Sequence, residues 1–240
     1  MPRFFVDALT DTAVLTGEDA RHIAKSLRMT AGDPLTLCDG KGQEAQGRIV
    51  SLSSDAVSVR LGEAAASAAE PLTRISLYLA MPKGDKTELV VQKAVELGAA
   101  EIVLFLSARC ISRPKGDDAA KKVQRLQKIA VEAAKQCGRG ILPAVRGVLS
   151  FSQLMQETQQ LDDCFVLYEG LCKPLRQQLP ARGAAIALLV GSEGGFSPEE
   201  IARAEACGVH AASLGKRILR CETAPIAALA AMMFALGEMD

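Results

Sequence analysis

AIALLVGSEGGFSPEE, residues 185–200, joins three kinds of chain in one stretch. Ala185–Val190 is an unbroken apolar run of the length expected for a buried strand in a parallel sheet. Ser197–Pro198–Glu199–Glu200 has the marks of a helix start: a serine cap, proline in the first turn and glutamate three residues after the cap. Between them, Gly191–Gly195 holds three glycines and one carboxylate. In an open parallel sheet, ligands bind beyond the carboxyl ends of the strands, and glycine lets a ligand approach the backbone without meeting a Cβ. A tight left-handed turn would ask for the same glycines. The loop has neither the Lys-Ser/Thr of a P-loop nor the G-x-G-x-x-G dinucleotide spacing. Glu193, Glu199 and Glu200 would repel a phosphate, so a ligand with little negative charge, or with a positive one, is expected.

Working outward, the same strand–helix rhythm holds from about residue 71 onward and predicts a parallel sheet with crossover helices. Strands are expected at Arg74–Ala80, Glu101–Leu106, Cys164–Tyr168, Ala185–Val190 and Ala211–Leu214. Helices are expected at Lys86–Leu97, Asp118–Cys137, Phe151–Gln159, Pro198–Cys207 and Thr223–Leu236. Before residue 65 the segments are shorter: Leu35–Cys38, a turn at Asp39–Gly42, Ala45–Leu52 and Ala56–Leu61. They predict a small antiparallel β-domain. One helix interrupts it, Gly17–Leu27, with Thr16 and Asp19 placed as a capping box. EAAASAAEP, Glu63–Pro71, has the composition of a linker. The expected domains are 1–70 and 71–240.

A second polar loop, LGKRILRCETAP (Leu214–Pro225), follows the next short strand and precedes the last helix. Arg217 and Arg220 lie among Leu and Ile, Thr223 is placed as an N-cap, and Pro225 suits a first turn. Two polar loops leaving neighbouring strands on one side of a sheet suggest a site. The last helix, ETAPIAALAAMMFALG, is apolar or small nearly all round, which marks a buried helix; packing within the fold or against a second subunit would cover it on every side.

Charge and composition narrow the classes. The chain is 49% hydrophobic with 28 basic and 28 acidic residues, and aromatics are only 4% with no Trp, which argues against a stacking platform for single strands. Residues 107–146 nevertheless gather ten cations (Arg109, Arg113, Lys115, Lys121, Lys122, Arg125, Lys128, Lys135, Arg139 and Arg146). A polyanion met at one face would explain them, as would a solvated helix surface. Seven cysteines without a CxxC pair fit reduced thiols, MPRFFVDALT has no continuous apolar core of a signal peptide, and Ala224–Leu236 is shorter than the ~20 residues of a membrane span. A soluble cytoplasmic protein without a membrane partner is expected. His22 and His210 lack ligand-like company, so no metal is expected.

With both loops in view, the chain resembles the SPOUT methyltransferases, and most closely the ribosomal RNA small subunit methyltransferase E family. RHIAKSLRMTAGD (Arg21–Asp33), MPKGDKTELVVQKAVELGA (Met81–Ala99), ARCISR (Ala108–Arg113), IAVEAAKQCGRGILP (Ile129–Pro143), GSEGG and LGKRILRCETA follow in that family's order. Two departures stand out: Ser192 where many relatives have proline, and Cys221 where threonine is expected. Adjusted affinity rather than lost function is expected from them.

The resemblance implies an α/β fold: a small PUA-like β-barrel domain, then a SPOUT domain with a parallel sheet and a deep trefoil knot, in a homodimer. It implies S-adenosylmethionine as cofactor and N3 of a specific uridine in small-subunit (16S) rRNA as the methylated atom, on naked rRNA or the assembled subunit. By resemblance the cofactor is held by Tyr168, Glu169, Gly191, Ser192, Glu193, Gly194, Gly195, Leu214, Gly215, Ile218, Leu219 and Thr223. Leu214, Ile218 and Leu219 would serve equally as ordinary core. Uracil N3 must lose a proton, which asks for a base or a cation that stabilises the anion. Arg217 and Arg220 are the candidate cations, Glu193 and Glu222 the candidate bases. Candidate RNA contacts are Arg3, Arg21, His22, Lys25, Arg28, Lys83, Lys86, Arg109, Arg113 and Arg139. The rival readings are a non-catalytic RNA-binding ribosome-assembly factor, which would not need both loops intact, and a Rossmann oxidoreductase, which lacks its fingerprint.

Overall fold

Short alternating strands at the front and longer apolar runs behind them fold as two different sheets. The computed structural model describes residues 1–53, 55–114, 116–161 and 163–239; Lys115, counted among the ten cations, lies outside these. By internal contacts the chain forms two compact units, Met1–Glu70 with Ala134–Leu142, and Pro71–Ala133 with Pro143–Asp240.

In the first unit, β1 (Arg3–Phe5), β2 (Thr12–Thr16), β3 (Pro34–Cys38), β4 (Gln43–Leu52) and β5 (Ala56–Ala66) form one sheet in the order β1-β3-β4-β5-β2. All pairs are antiparallel except β1 with β3. Alternation places Ala13 and Leu15 inward along β2, where they join Phe4, Ile23, Leu35, Leu37, Ile49, Val57 and Val59 in the core. Three expectations need correction. The segment assigned to a linker is strand as far as Ala66, because Ala64–Ala66 pair with Gln43–Ala45. The helix runs as α1 (Gly17–Arg21) and then a single π turn, His22–Ser26. Thr16 makes no capping hydrogen bond; Asp19 instead accepts from Lys135 Nζ at 2.7 Å. Finally, Arg139 is 4% exposed and paired with Glu70 at 2.7 Å. The backbone N–H groups of Gly140 and Ile141 donate to the same carboxylate, which explains why Ala134–Leu142 belongs to this unit.

The second unit contains β6 (Arg74–Ala80), α2 (Lys86–Glu96), β7 (Glu101–Leu106), α3 (Gly116–Cys137, whose last turn belongs to the first unit), β8 (Ala144–Ser150), α4 (Phe151–Thr158) and β9 (Asp163–Leu167). After these come β10 (Lys173–Pro174), β11 (Ala185–Val190), α5 (Pro198–Ala206), β12 (His210–Ser213) and α6 (Thr223–Ala235). The strands run parallel in the order β10-β12-β9-β11-β6-β7-β8. β9 therefore separates β11 from β12: the two polar loops leave the same end of the sheet, but not neighbouring strands as expected. Strands β6, β7 and β11 are buried on both faces, as their largely apolar runs require.

Within the single chain, helix α6 is buried on one side only. Ala228, Leu229, Met232 and Met233 are buried, whereas Phe234 is 73% exposed. Just beyond it, Glu238 ties the chain back to the start of β6. Its carboxylate accepts from the N–H groups of Leu72 and Thr73, from the Thr73 hydroxyl at 2.6 Å and from Arg182. Burial alone would raise its pKa, but the Thr73, Arg182 and backbone hydrogen bonds win and hold it at about 2.

The sign follows from linkage. A carboxyl held below its unfolded pKa contributes stability above that value and loses it as pH falls toward the folded one. Between about pH 5 and pH 2, urea stability should fall more steeply for the wild type than for Glu238→Gln. At pH 7 the variant should be weaker by about 1–3 kcal/mol. Parallel pH curves for the two proteins would contradict this role for Glu238.

Candidate active site

The site is assembled from loops that leave the carboxyl ends of β6, β9, β11 and β12. After β11 the chain must turn sharply: Gly195 N–H bonds the Ser192 carbonyl at 2.9 Å, and Gly195 has φ +63°. A Cβ at Gly194 would lie 2.8 Å from that of Arg109, and one at Gly195 would crowd the Glu169 carboxylate at 3.3 Å. Phe196, 2% exposed, stacks on Phe105 at 6.2 Å and anchors the end of the turn in the core. Ser197 and Glu200 then form a complete capping box at the head of α5, and the second Glu200 oxygen accepts from Ala108 N–H at 2.7 Å.

Two cavities share Leu167, Glu169, Ile218, Leu219 and Ala224 as walls. One, of about 460 Å³, is lined by Gly191–Gly195, Lys86, Arg220 and Cys221; the other, of about 420 Å³, by Tyr168, Cys172, Leu214, Gly215 and Arg217. Together they would hold a ligand with an apolar or aromatic part and a compact cationic part. The walls are the glycine backbone and four leucines or isoleucines, and Glu169 and Glu193 supply negative charge. The Ser192 hydroxyl is buried here without a hydrogen-bond partner. Ile218 is 86% exposed at the shared rim and so is not ordinary core.

Of the expected cofactor residues, all but Thr223 line these cavities. Thr223 is the first residue of α6 rather than its cap; Glu222 takes the cap position, and the N–H groups of Thr223 and Ala224 bond the Arg220 carbonyl. The four expected catalytic residues divide. Arg217 and Arg220 sit exposed on the rims of the two cavities. Glu193 and Glu222 meet at a residue placed elsewhere from sequence, Lys86, whose ammonium lies 3.1 Å from Glu193 Oε1 and 3.3 Å from Glu222 Oε2. Burial works against ionised Glu193, yet its own and the Lys83 N–H groups, with Lys86, lower its pKa. Glu222 is lowered chiefly by its own backbone N–H, then by the Cys221 thiol and Lys86. Burial, aided by Glu222, pushes the Cys221 thiol up to about 11, so it remains a donor to Glu222 Oε2 at 3.2 Å.

The expected RNA contacts divide as well. Arg21, His22, Lys25 and Arg28 are all exposed on the first unit. Arg28 has φ +52° and lies past the π turn, so it does not continue a helical face with His22 and Lys25. Arg3 and Arg139 are corrections: Arg3 bonds Glu44 at 2.6 Å with a side chain only 14% exposed, and Arg139 is the buried partner of Glu70. Lys83 is exposed, and its N–H donates to Glu193 at 3.1 Å. Arg109 donates to the Gly194 carbonyl at 3.0 Å and so braces the glycine turn. Arg113 caps the carbonyls of Ser107, Ala108 and Cys110, and Arg146 is held by Glu101 and Glu157. Among the described residues, no group of three or more His, Cys, Asp or Glu is placed to hold a metal ion.

Known proteins share this fold. Residues 68–233 match the family model described as an RNA methyltransferase domain, and residues 15–62 match the RNA methyltransferase PUA domain. The fold and site are those of a two-domain RNA methyltransferase. The ribosomal RNA small subunit methyltransferase E of Bacillus subtilis is 36% identical over 98% of this chain and 96% of its own. The crystal structure of the Neisseria gonorrhoeae enzyme of that name, bound to S-adenosyl methionine, is 32% identical over 98% of this chain and 97% of its own, with a TM-score of 0.89. A Legionella pneumophila methyltransferase in complex with the same cofactor gives 32% identity, 97% coverage of each chain and a TM-score of 0.89. The chain belongs to the ribosomal RNA small subunit methyltransferase E family.

Proposed function

We propose that this protein methylates N3 of one uridine in small-subunit ribosomal RNA, with S-adenosylmethionine as donor. The observation that carries the reading is the cavity itself: a glycine turn and an apolar rim, with carboxylates clustered beside them. The bound donor supplies a methyl group on a cationic sulfur, and such a cation fits beside Glu169 and Glu193. Gly191–Gly195 and Leu214–Leu219 would grip it through backbone and apolar contacts, with Tyr168 walling the second cavity.

The chain's own residues manage the proton. When the N3–H bond breaks, its electron pair stays on nitrogen and the proton passes to a Glu193 or Glu222 oxygen. Arg217 and Arg220, exposed on the cavity rims, would offset negative charge on the ring oxygens and on the flanking phosphates. A target base inside a helix would have to turn out of its stack to reach this depth. Arg21, His22, Lys25 and Arg28 supply sequence-independent phosphate contacts on the first unit.

The protein acts in the cytoplasm as a homodimer with a knotted second domain. Support for the dimer is the face Ile226, Ala230, Phe234 of α6, apolar along its length with Phe234 73% exposed. Support for the knot is the path of the chain: from β12, near one edge of the sheet, it returns to pack α6 on α2 and β6.

Three experiments test these points. Small-subunit rRNA treated with enzyme and labelled donor, then digested to nucleosides, should yield labelled N3-methyluridine; label only in a carbon- or ribose-methylated nucleoside would refute the target atom. Joint replacement of Arg21, Lys25 and Arg28 by alanine should reduce the slope of log affinity against log salt by about 2–3. An unchanged slope would remove this surface from the RNA interface. In sedimentation velocity, wild type should run as a dimer and Phe234→Glu as a monomer; a monomeric wild type would end the dimer reading.

A further inference from the structure

Lys86 was expected to contact phosphate, and its surroundings forbid that role. It is the first residue of α2, and its ammonium bridges Glu193 of the glycine turn and Glu222 at the head of α6. The Cys221 thiol lies 3.7 Å away. The Lys83 N–H donates to the same Glu193 oxygen, and Glu169 and Arg220 line the same cavity. Lys86 and its two carboxylates carry a net negative charge, which would repel a phosphate.

A structural role alone does not explain the arrangement either. The three side chains are 36%, 34% and 18% exposed, and ion pairs in contact with water add little to stability. What the geometry does achieve is to bring carboxylates from two loops, separated by strand β9, to one nitrogen at the cavity wall.

We propose that Lys86 is a positioning residue for methyl transfer: it clamps Glu193 and Glu222 together as one shared proton acceptor beside the cofactor cavity. The inference rests on the reading of this site as an N3-uridine methyltransferase. Two carboxylates so close would otherwise repel, and one would hold a proton and cease to accept. With the ammonium between them both are ionised near neutrality, in keeping with the lowered pKa of each and the raised pKa of Lys86, whose chief cause is its bond to Glu193. Cys221 donates to the same Glu222 oxygen that Lys86 contacts, and so helps to hold that member of the pair.

The test compares wild type with Lys86→Gln, Lys86→Met and Lys86→Arg, each first shown to keep the wild-type circular dichroism. Carboxyl ¹³C NMR titration, assigned with Glu193→Gln and Glu222→Gln, reads the pair directly. Single-turnover methyl transfer from pH 5 to 9 reads its consequence. In the neutral variants the upper apparent pKa of the pair should rise by about one unit or more. The acid limb of the rate profile should move with it, so that the rate loss is several-fold larger at pH 6 than at pH 8. Lys86→Arg should restore both, and S-adenosylmethionine affinity should stay within a few-fold throughout.

Unmoved carboxyl titration in the neutral variants would overturn the proposal, whatever the activity. So would a rate loss equal at every pH with only the RNA KM raised, the signature of a phosphate contact. A wild type that transfers no methyl group to rRNA, or full rates in both glutamine variants, would instead overturn the underlying reading and the clamp's purpose with it.

Discussion

All strands of the second unit run parallel, and this one constraint decides where its chemistry lies. Parallel strands point their carboxyl ends to one side, so every βα connection departs from the same edge. Met81–Asp85, Tyr168–Cys172, Gly191–Gly195 and Leu214–Glu222 are far apart in the chain, yet they share that edge. Rearranging the strand order would leave each loop intact and scatter the site. The order places β9 between β11 and β12, so the loops of the outer two strands close over the end of the middle one. The shared wall at Leu167 and Glu169 follows from that placement.

Charge does the remaining sorting. A cationic donor and an acidic N–H make separate demands, one for negative charge nearby and one for a base that is ionised at neutral pH. In the proposed reaction Glu169 and Glu193, on the cavity walls, would meet the first demand, and the lysine at the head of α2 would let Glu193 and Glu222 meet the second. Cations that contact carbonyls instead, Arg109 at Gly194 and Arg113 at the loop after β7, shape the edge without entering the cavities.

Much of this was legible in the sequence, for reasons that differ by element. Strands β6, β7 and β11 match their expected limits because a run buried on both faces is mostly apolar, with few polar residues to blur it. Helix ends were close for α2, α3 and α5 because Gly98, Gly138 and Gly208 take positive φ just past each terminus. Strands β1, β2 and β8 escaped notice, since β1 is three residues held by β3, and β8 carries Arg146, whose charge is answered by Glu101 and Glu157. The cofactor loops were legible as motifs. The partners of charged residues were not: nothing local to Arg139 announces Glu70, and nothing local to Lys86 announces Glu193 or Glu222. One signal was available for Lys86. It opens a helix just after the carboxyl end of a central strand, where a charge faces the site more readily than solvent.

The most direct measurement is reverse-transcription arrest on small ribosomal subunits incubated with S-adenosylmethionine and either wild-type protein or the Glu193→Gln, Glu222→Gln double variant. N3 methylation blocks Watson–Crick pairing, so wild type should produce one new stop at a single uridine and the double variant should produce none. No new stop with wild-type protein, or an equal stop with the variant, would contradict a site in which these carboxylates take the N3 proton.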